Sequence, residues 1–204
     1  LGIPFCPDGN NPSALIMDAE AISGLNKEEA IFLFQHRGIL LNAPAWKVAQ
    51  QRRLDTLLTA IPAPEGLTHV SCFLSPGGGR TAVVPSYDPS ISNTQRLNLL
   101  GIADWTTCHR MPAIMETVAQ AVVVPRIDGR GKLRSVTLLN CSISDQPETQ
   151  LRLRGCDPNK KQQFIWKKAG QPDVILRPQY DGSDAIIRIP TLEGWNIGWV
   201  AITS

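Results

Sequence analysis

From residue 117 to its end the chain offers short apolar runs and no segment of helical periodicity. "VAQAVVVPRI", "KLRSVTLLNCSI", "TQLRLRG", "QQFIWKK", "DVILRP", "DAIIRIP" and "NIGWVAI" are seven strand candidates in under ninety residues. Runs of that length separated by turn residues leave little choice but a layered antiparallel structure. "QLRLRG" alternates strictly, the period of a strand with one buried and one wet face. Asp128-Gly129 and Asp181-Gly182 fall between strand pairs, and Asp-Gly is a strong hairpin signal. This part predicts an antiparallel β-sandwich, with Trp199 in its core.

Upstream the texture differs. "ALIMD" reads as a strand, followed by "NKEEAIFLFQHRG", a helix with Asn26 as N-cap, Glu28 and Glu29 in its first turn and Gly38 past its end. "GILLN" is a second short strand. "APAWKVAQQRRLDTLLTAI" is a second helix, with Pro44 in its first turn and Pro62 after its last. "SNTQRLNLLGIADW" predicts a short helix capped by Ser92 or Asn93 and ending near Gly101, and "TTCHRMPAIMET" a connector. Alternating strands and helices predict an α/β layer. The boundary falls near residue 115, giving domains over 1–115 and 116–204.

"HVSCFLSPGGGRTAVVPSY", residues 69–87, holds the only glycine run. A phosphate cradle requires glycines that lead directly into a helix. Here strand-like sequence lies on both sides, so Pro76 to Gly79 are predicted as a hairpin connection. Cys72 lies between Ser71 and Phe73 rather than between glycines, which is not the setting of a nucleophile elbow.

The remaining chemistry is sparse. A formal charge of +2 gives no electrostatic reason to expect nucleic acid or an anionic membrane surface as partner. No apolar run approaches the roughly 20 residues of a spanning helix. A soluble protein is expected, with the compartment open between cytoplasm and periplasm or secretion. The five cysteines are widely spaced without a C-x-x-C pair, and His36, His69 and His109 show no ligand spacing, so neither a metal nor another cofactor is expected. Lys160, Lys161, Lys167 and Lys168 surround Phe164 and Trp166, which reads as a hairpin with a solvated face. Asn140-Cys141-Ser142 matches a glycosylation sequon. Trp195, Trp166 and Tyr180 are the candidates for stacking against sugar rings.

"SGLNKEEAIFLFQHRGILLNAPAWKVAQQRR" resembles amidotransferase-like domains that accompany bacterial glycosidases of the β-galactosidase type, with Gly38, Leu40, Leu41, Asn42 and Ala45 carrying the likeness. "GKLRSVTLLNCSISDQ", "LRLRG" and "IRIPTLEGWNIGWVAI" resemble the β-sandwich that closes such enzymes. The resemblance implies a partial flavodoxin- or amidotransferase-like three-layer α/β domain followed by the sandwich. It also implies a non-catalytic accessory role in a glycoside hydrolase: bracing an upstream catalytic domain of the same polypeptide or mediating self-association. Two alternatives remain. One is a carbohydrate-binding module using Trp195, Trp166 or Tyr180; the other is a small hydrolase pairing Cys72 or Cys108 with His69 or His109.

Overall fold

A computed structural model of the protein describes residues 14–86, 92–118 and 120–203. The fold is mixed, with several β-sheets and four short α-helices. Two units divide it: residues 14–86 with Gly101–Arg110, and Ser92–Leu100 with residues 111–203.

The first unit opens with β1 (Ala14–Met17) and α1 (Ala19–Gly24), capped by the Asp18 carboxylate accepting from the Ala21 N–H at 2.8 Å. Helix α2 (Lys27–His36) starts on a reciprocal cap: Asn26 accepts from the Glu29 N–H at 2.9 Å, and the Glu29 carboxylate accepts from the Asn26 N–H at 3.1 Å. Both donors would otherwise be orphaned at a helix start. Asn26→Ala should therefore lower stability by about 1 kcal/mol in urea unfolding, with the loss confined to this unit in hydrogen exchange.

Strand β2 (Gly38–Asn42) lies in parallel between β1 and β5 (Arg80–Val84), and the sheet is completed by antiparallel β4 (Ser71–Leu74) and β3 (Thr59–Ile61) in the order β1-β2-β5-β4-β3. One sheet face carries Met17, Ile39 and Leu41, against which α1, α2 and α3 (Ala43–Gln51) bury Ile22, Phe34 and Ala49. The last turns of α4 (Asn93–Thr106) meet the other face: a Cβ on Gly38 would lie 2.1 Å from the Thr106 carbonyl oxygen, and Arg80 donates to the Trp105 carbonyl at 2.9 Å.

Three sequence expectations change here. The second helix stops at Gln51 because Arg53 turns left-handed at φ 60°, and Leu54–Leu57 form a 3₁₀ turn leading into β3. Arg52 uses the break to donate to the Ile22 and Leu25 carbonyls at the end of α1. Helix α4 does not end near Gly101 but runs to Thr106; Gly101 lies where a Cβ would meet Leu67 Cδ2 at 2.9 Å, so its missing side chain serves close packing. The connector contains β6 (Ala113–Met115), buried throughout. Helix α1 had no counterpart among the predicted elements.

The glycine run does connect β4 to β5 as a hairpin. Cβ atoms on Gly77 and Gly79 would lie 2.6 Å and 2.8 Å from the Gln35 and Phe34 carbonyl oxygens. The loop thus seats on the C-terminal, electronegative end of α2, a place that disfavours an anion.

In the second unit all seven expected strands form: β7 (Val122–Ile127), β8 (Leu133–Asn140), β9 (Thr149–Leu153), β10 (Gln163–Lys168), β11 (Val174–Leu176), β13 (Asp184–Ile189) and β14 (Asn196–Thr203). An eighth, β12 (Gln179–Asp181), is a short edge strand beside β13. Two antiparallel sheets, β11-β10-β14-β8-β7 and β12-β13-β9-β6, close over one core. Phe164, Trp166, Val136, Leu138 and Val200 come from the first, and Leu151, Leu153, Ile187 and Ile189 from the second. Asn140 is 1% exposed and its amide reaches the carbonyls of Ser144, Leu192 and Glu193 at 2.8, 2.9 and 3.1 Å, so the sequon belongs to the folded interior. No described helix is long and apolar enough to cross a membrane.

Candidate interaction surfaces

The three stacking candidates have different fates. Trp166 is 3% exposed and lies on Gly198, where a Cβ would meet ring atom Cη2 at 2.2 Å, so it offers no face to a sugar. Tyr180 is half-exposed on β12 opposite Ala185, at the start of β13. Trp195 is 71% exposed in a left-handed conformation beyond the end of β13, its N–H donating to the Ser142 carbonyl at 3.0 Å. Six strand residues at about 3.3 Å each separate those two ends. Tyr180 and Trp195 therefore do not converge on one small ligand.

The buried thiols lack activation. Cys72 is buried and burial pushes its thiol up, opposite to what a nucleophile needs. Cys156 is also buried, its thiol pushed up to about 11 by burial and then by Asp184. Cys108 and Cys141 are exposed; Cys6 lies outside the described residues. His109, next to Cys108, has its Nδ1 2.8 Å from Asp104 Oδ2. Iodoacetamide mapped by peptide mass spectrometry should modify Cys108 and Cys141 first and reach Cys72 and Cys156 only on unfolding. Prompt modification of Cys72 in the native protein would contradict its burial. Among the described residues no three His, Cys, Asp or Glu side chains gather as metal ligands.

The outer faces of the two sandwich sheets differ. On the four-stranded sheet, Arg152 binds Glu116 at 2.5 Å, Asp181 at 2.9 Å and Asp184 at 3.3 Å. Burial opposes its charge, but these carboxylates outweigh it and hold the guanidinium above its ordinary basicity.

On the five-stranded sheet the outer face carries several exposed apolar side chains among Ser135, Thr137 and Lys167. The register aligns Ile197 with Leu139 and Val122, and Trp199 with Thr137 and Val124; Ala201 aligns with Ile165, which faces Ile175. Exposures of 44% for Val124, 67% for Ile175, 52% for Ile197 and 36% for Trp199 leave these side chains open. Trp199 is thus not a core residue as the sequence predicted. "NIGWVAI" hides the difference because both of its alternating sets are apolar: Gly198, Val200 and Ile202 face inward and Ile197, Trp199 and Ala201 outward. Lys167 stands beside Trp199 and pairs with Asp173.

These features define a mixed protein, a five-stranded α/β sheet unit with a β-sandwich. No protein-family model matches the chain, and no curated protein matches it. Among solved structures, α-L-fucosidase isoenzyme 2 from Paenibacillus thiaminolyticus is similar at a TM-score of 0.40 and 13% sequence identity, over 67% of this chain and 22% of that one.

Proposed function

We propose that this chain is a non-catalytic accessory region of a bacterial carbohydrate-active enzyme, a glycoside hydrolase, whose sandwich docks on a catalytic domain of the same polypeptide and braces it. In this reading the α/β unit is the amidotransferase-like domain and the sandwich, with β6 as one of its strands, is the docking module. The carbohydrate context rests on the sequence resemblance; the docking role rests on the exposed apolar side chains of the five-stranded sheet. The exposed Val124, Ile175, Ile197 and Trp199 have features of an interface: an aromatic among several exposed aliphatic side chains, with the Lys167–Asp173 pair and Thr137 beside it. Each large apolar side chain removed from water contributes about 1.5–3 kcal/mol, so covering these side chains is a substantial driving force.

Trp199→Ser combined with Ile197→Ser is the test. In the isolated chain the pair should cost about 1–2 kcal/mol in all, less than a core truncation, because both side chains are only partly buried. In the parent polypeptide it should lower the thermal midpoint while aryl-glycoside hydrolysis persists at permissive temperature. An unchanged midpoint would remove the docking role. Concentration-dependent association of the isolated chain, abolished by the same pair, would reassign the face to contact between copies. Hydrolysis of an aryl-glycoside panel by the isolated chain at ordinary enzymatic rates would overturn the non-catalytic reading.

A second reading draws on the 71% exposure of Trp195. In it the chain is a carbohydrate-binding module whose sugar stacks on Trp195, with Tyr180 a separate contact. Trp195→Ala should then abolish glycan binding without altering the parent's thermal midpoint.

A further inference from the structure

A trough of about 340 Å³ opens where the chain crosses from β11 of the five-stranded sheet to β12 of the four-stranded one. Its polar lining is Glu148, Gln150, Arg177, Gln179 and Arg188, and Ile175, Leu176, Ile186 and Pro190 supply its apolar part. The sheet register sets this arrangement: Gln179 faces Ile186 across β12 and β13, and Arg188 faces Gln150 across β13 and β9. Arg177 sits on the two-residue crossing, between the buried anchor Leu176 and Pro178, whose ring fixes the backbone.

We infer that this trough binds an acidic sugar, a mono- or disaccharide carrying a carboxylate. Three observations lead there. First, the trough is lined by two arginines and one carboxylate. Arg188 and Glu148 form an exposed pair at 3.4 Å, with side chains 70% and 56% accessible. Such a pair is worth little and leaves both partners open to a ligand. Among the described residues Arg177 forms no hydrogen bond or ion pair, which leaves a forked donor suited to a carboxylate.

Second, the side-chain amides of Gln150 and Gln179 have no partner among the described residues. Each offers donors and an acceptor at once, the combination that sugar hydroxyls require. Third, Ile175, Leu176, Ile186 and Pro190 supply an apolar surface, as the C–H face of a pyranose needs, and no aromatic ring lines the trough to hold a nucleobase. The volume lies at the lower end of small-ligand pockets, which sets the size limit.

The inference does not rest on the docking reading: Val124, Ile197 and Trp199 take no part in the trough, and Ile175 alone borders both. Titration calorimetry on the 204-residue protein tests it with hexuronate mono- and disaccharides, the same sugars with the carboxylate reduced to an alcohol, and citrate. The hexuronates should bind, with affinity falling as salt rises, and the reduced sugars and citrate should bind at least about tenfold more weakly. Arg177→Ala and Arg188→Ala should each weaken hexuronate binding about tenfold or more while the far-UV spectrum and thermal midpoint hold. Arg177→Lys should recover part of the loss, and Trp199→Ser should change nothing. Equal binding of the reduced sugars would overturn the acidic specificity, and equal binding of citrate would overturn the sugar. No binding by any probe, or hexuronate binding indifferent to both arginines, would overturn the site.

Discussion

Trp166→Ala is expected to lower the unfolding free energy of the sandwich by about 3–5 kcal/mol, the range for removing a large aromatic from a packed core. Trp166 lies in the shared core with Phe164 and Val200, and its ring rests on the bare backbone of Gly198. Truncation would therefore empty space that no neighbour can refill: a glycine has no side chain to move inward, and β14 is held on both sides by β10 and β8. Urea unfolding gives the magnitude, and segment-resolved hydrogen exchange should place the loss in β10 and β14. A change under 1 kcal/mol would mean that the ring is not a core element.

The second large effect is expected at Gly38. An alanine Cβ there would lie 2.1 Å from the Thr106 carbonyl oxygen and 2.9 Å from the Ala14 Cβ. Both obstacles are backbone or backbone-fixed, so no rotamer change relieves them; β2 or the end of α4 must move. Overpacking typically costs 1–3 kcal/mol, and a backbone collision at a central strand belongs at the top of that range, about 3 kcal/mol or more. Reduced freedom of the unfolded chain returns about 0.4–1 kcal/mol and does not reverse the sign. Gly38→Ala should lower the unfolding midpoint and speed exchange in β2. Stability equal to wild type would show that the helix yields at no cost.

Elements whose sequence signals were local were readable. The capping box at Asn26 and Glu29, the alternation in β9 and the glycine hairpin after β4 each depend on residues within a few positions of one another. Elements decided by distant partners were not. The helix break at Arg53 coincides with Arg52 donating to carbonyls of α1 some thirty residues earlier, partners no local pattern announces. Gly101 continues a helix because Leu67 needs its space. Strands β6 and β12 are three residues long and exist only through their pairing with β9 and β13. The candidate surfaces followed the same division. Trp166 and Trp195 look alike as letters, but one lies over a glycine on a neighbouring strand and the other ends a loop. The trough was invisible because Gln150, Arg177 and Arg188 are ordinary surface residues until the register brings them together.

One consequence of β14 concerns how the chain avoids folding wrongly. A strand with one wet face resists sliding, because a one-residue slip would expose its buried set. Ile197, Trp199 and Ala201 are nearly as oily as Gly198, Val200 and Ile202, so that safeguard is weak here. Alignment must be enforced by shape instead: the indole of Trp166 fits only above Gly198, and the Asn140 amide finds its carbonyls only when β8 and β14 are in step. Loosening either lock would free β14 to pair one residue out of place, a trap that would show as slow, heterogeneous refolding rather than as lost contacts in the native state.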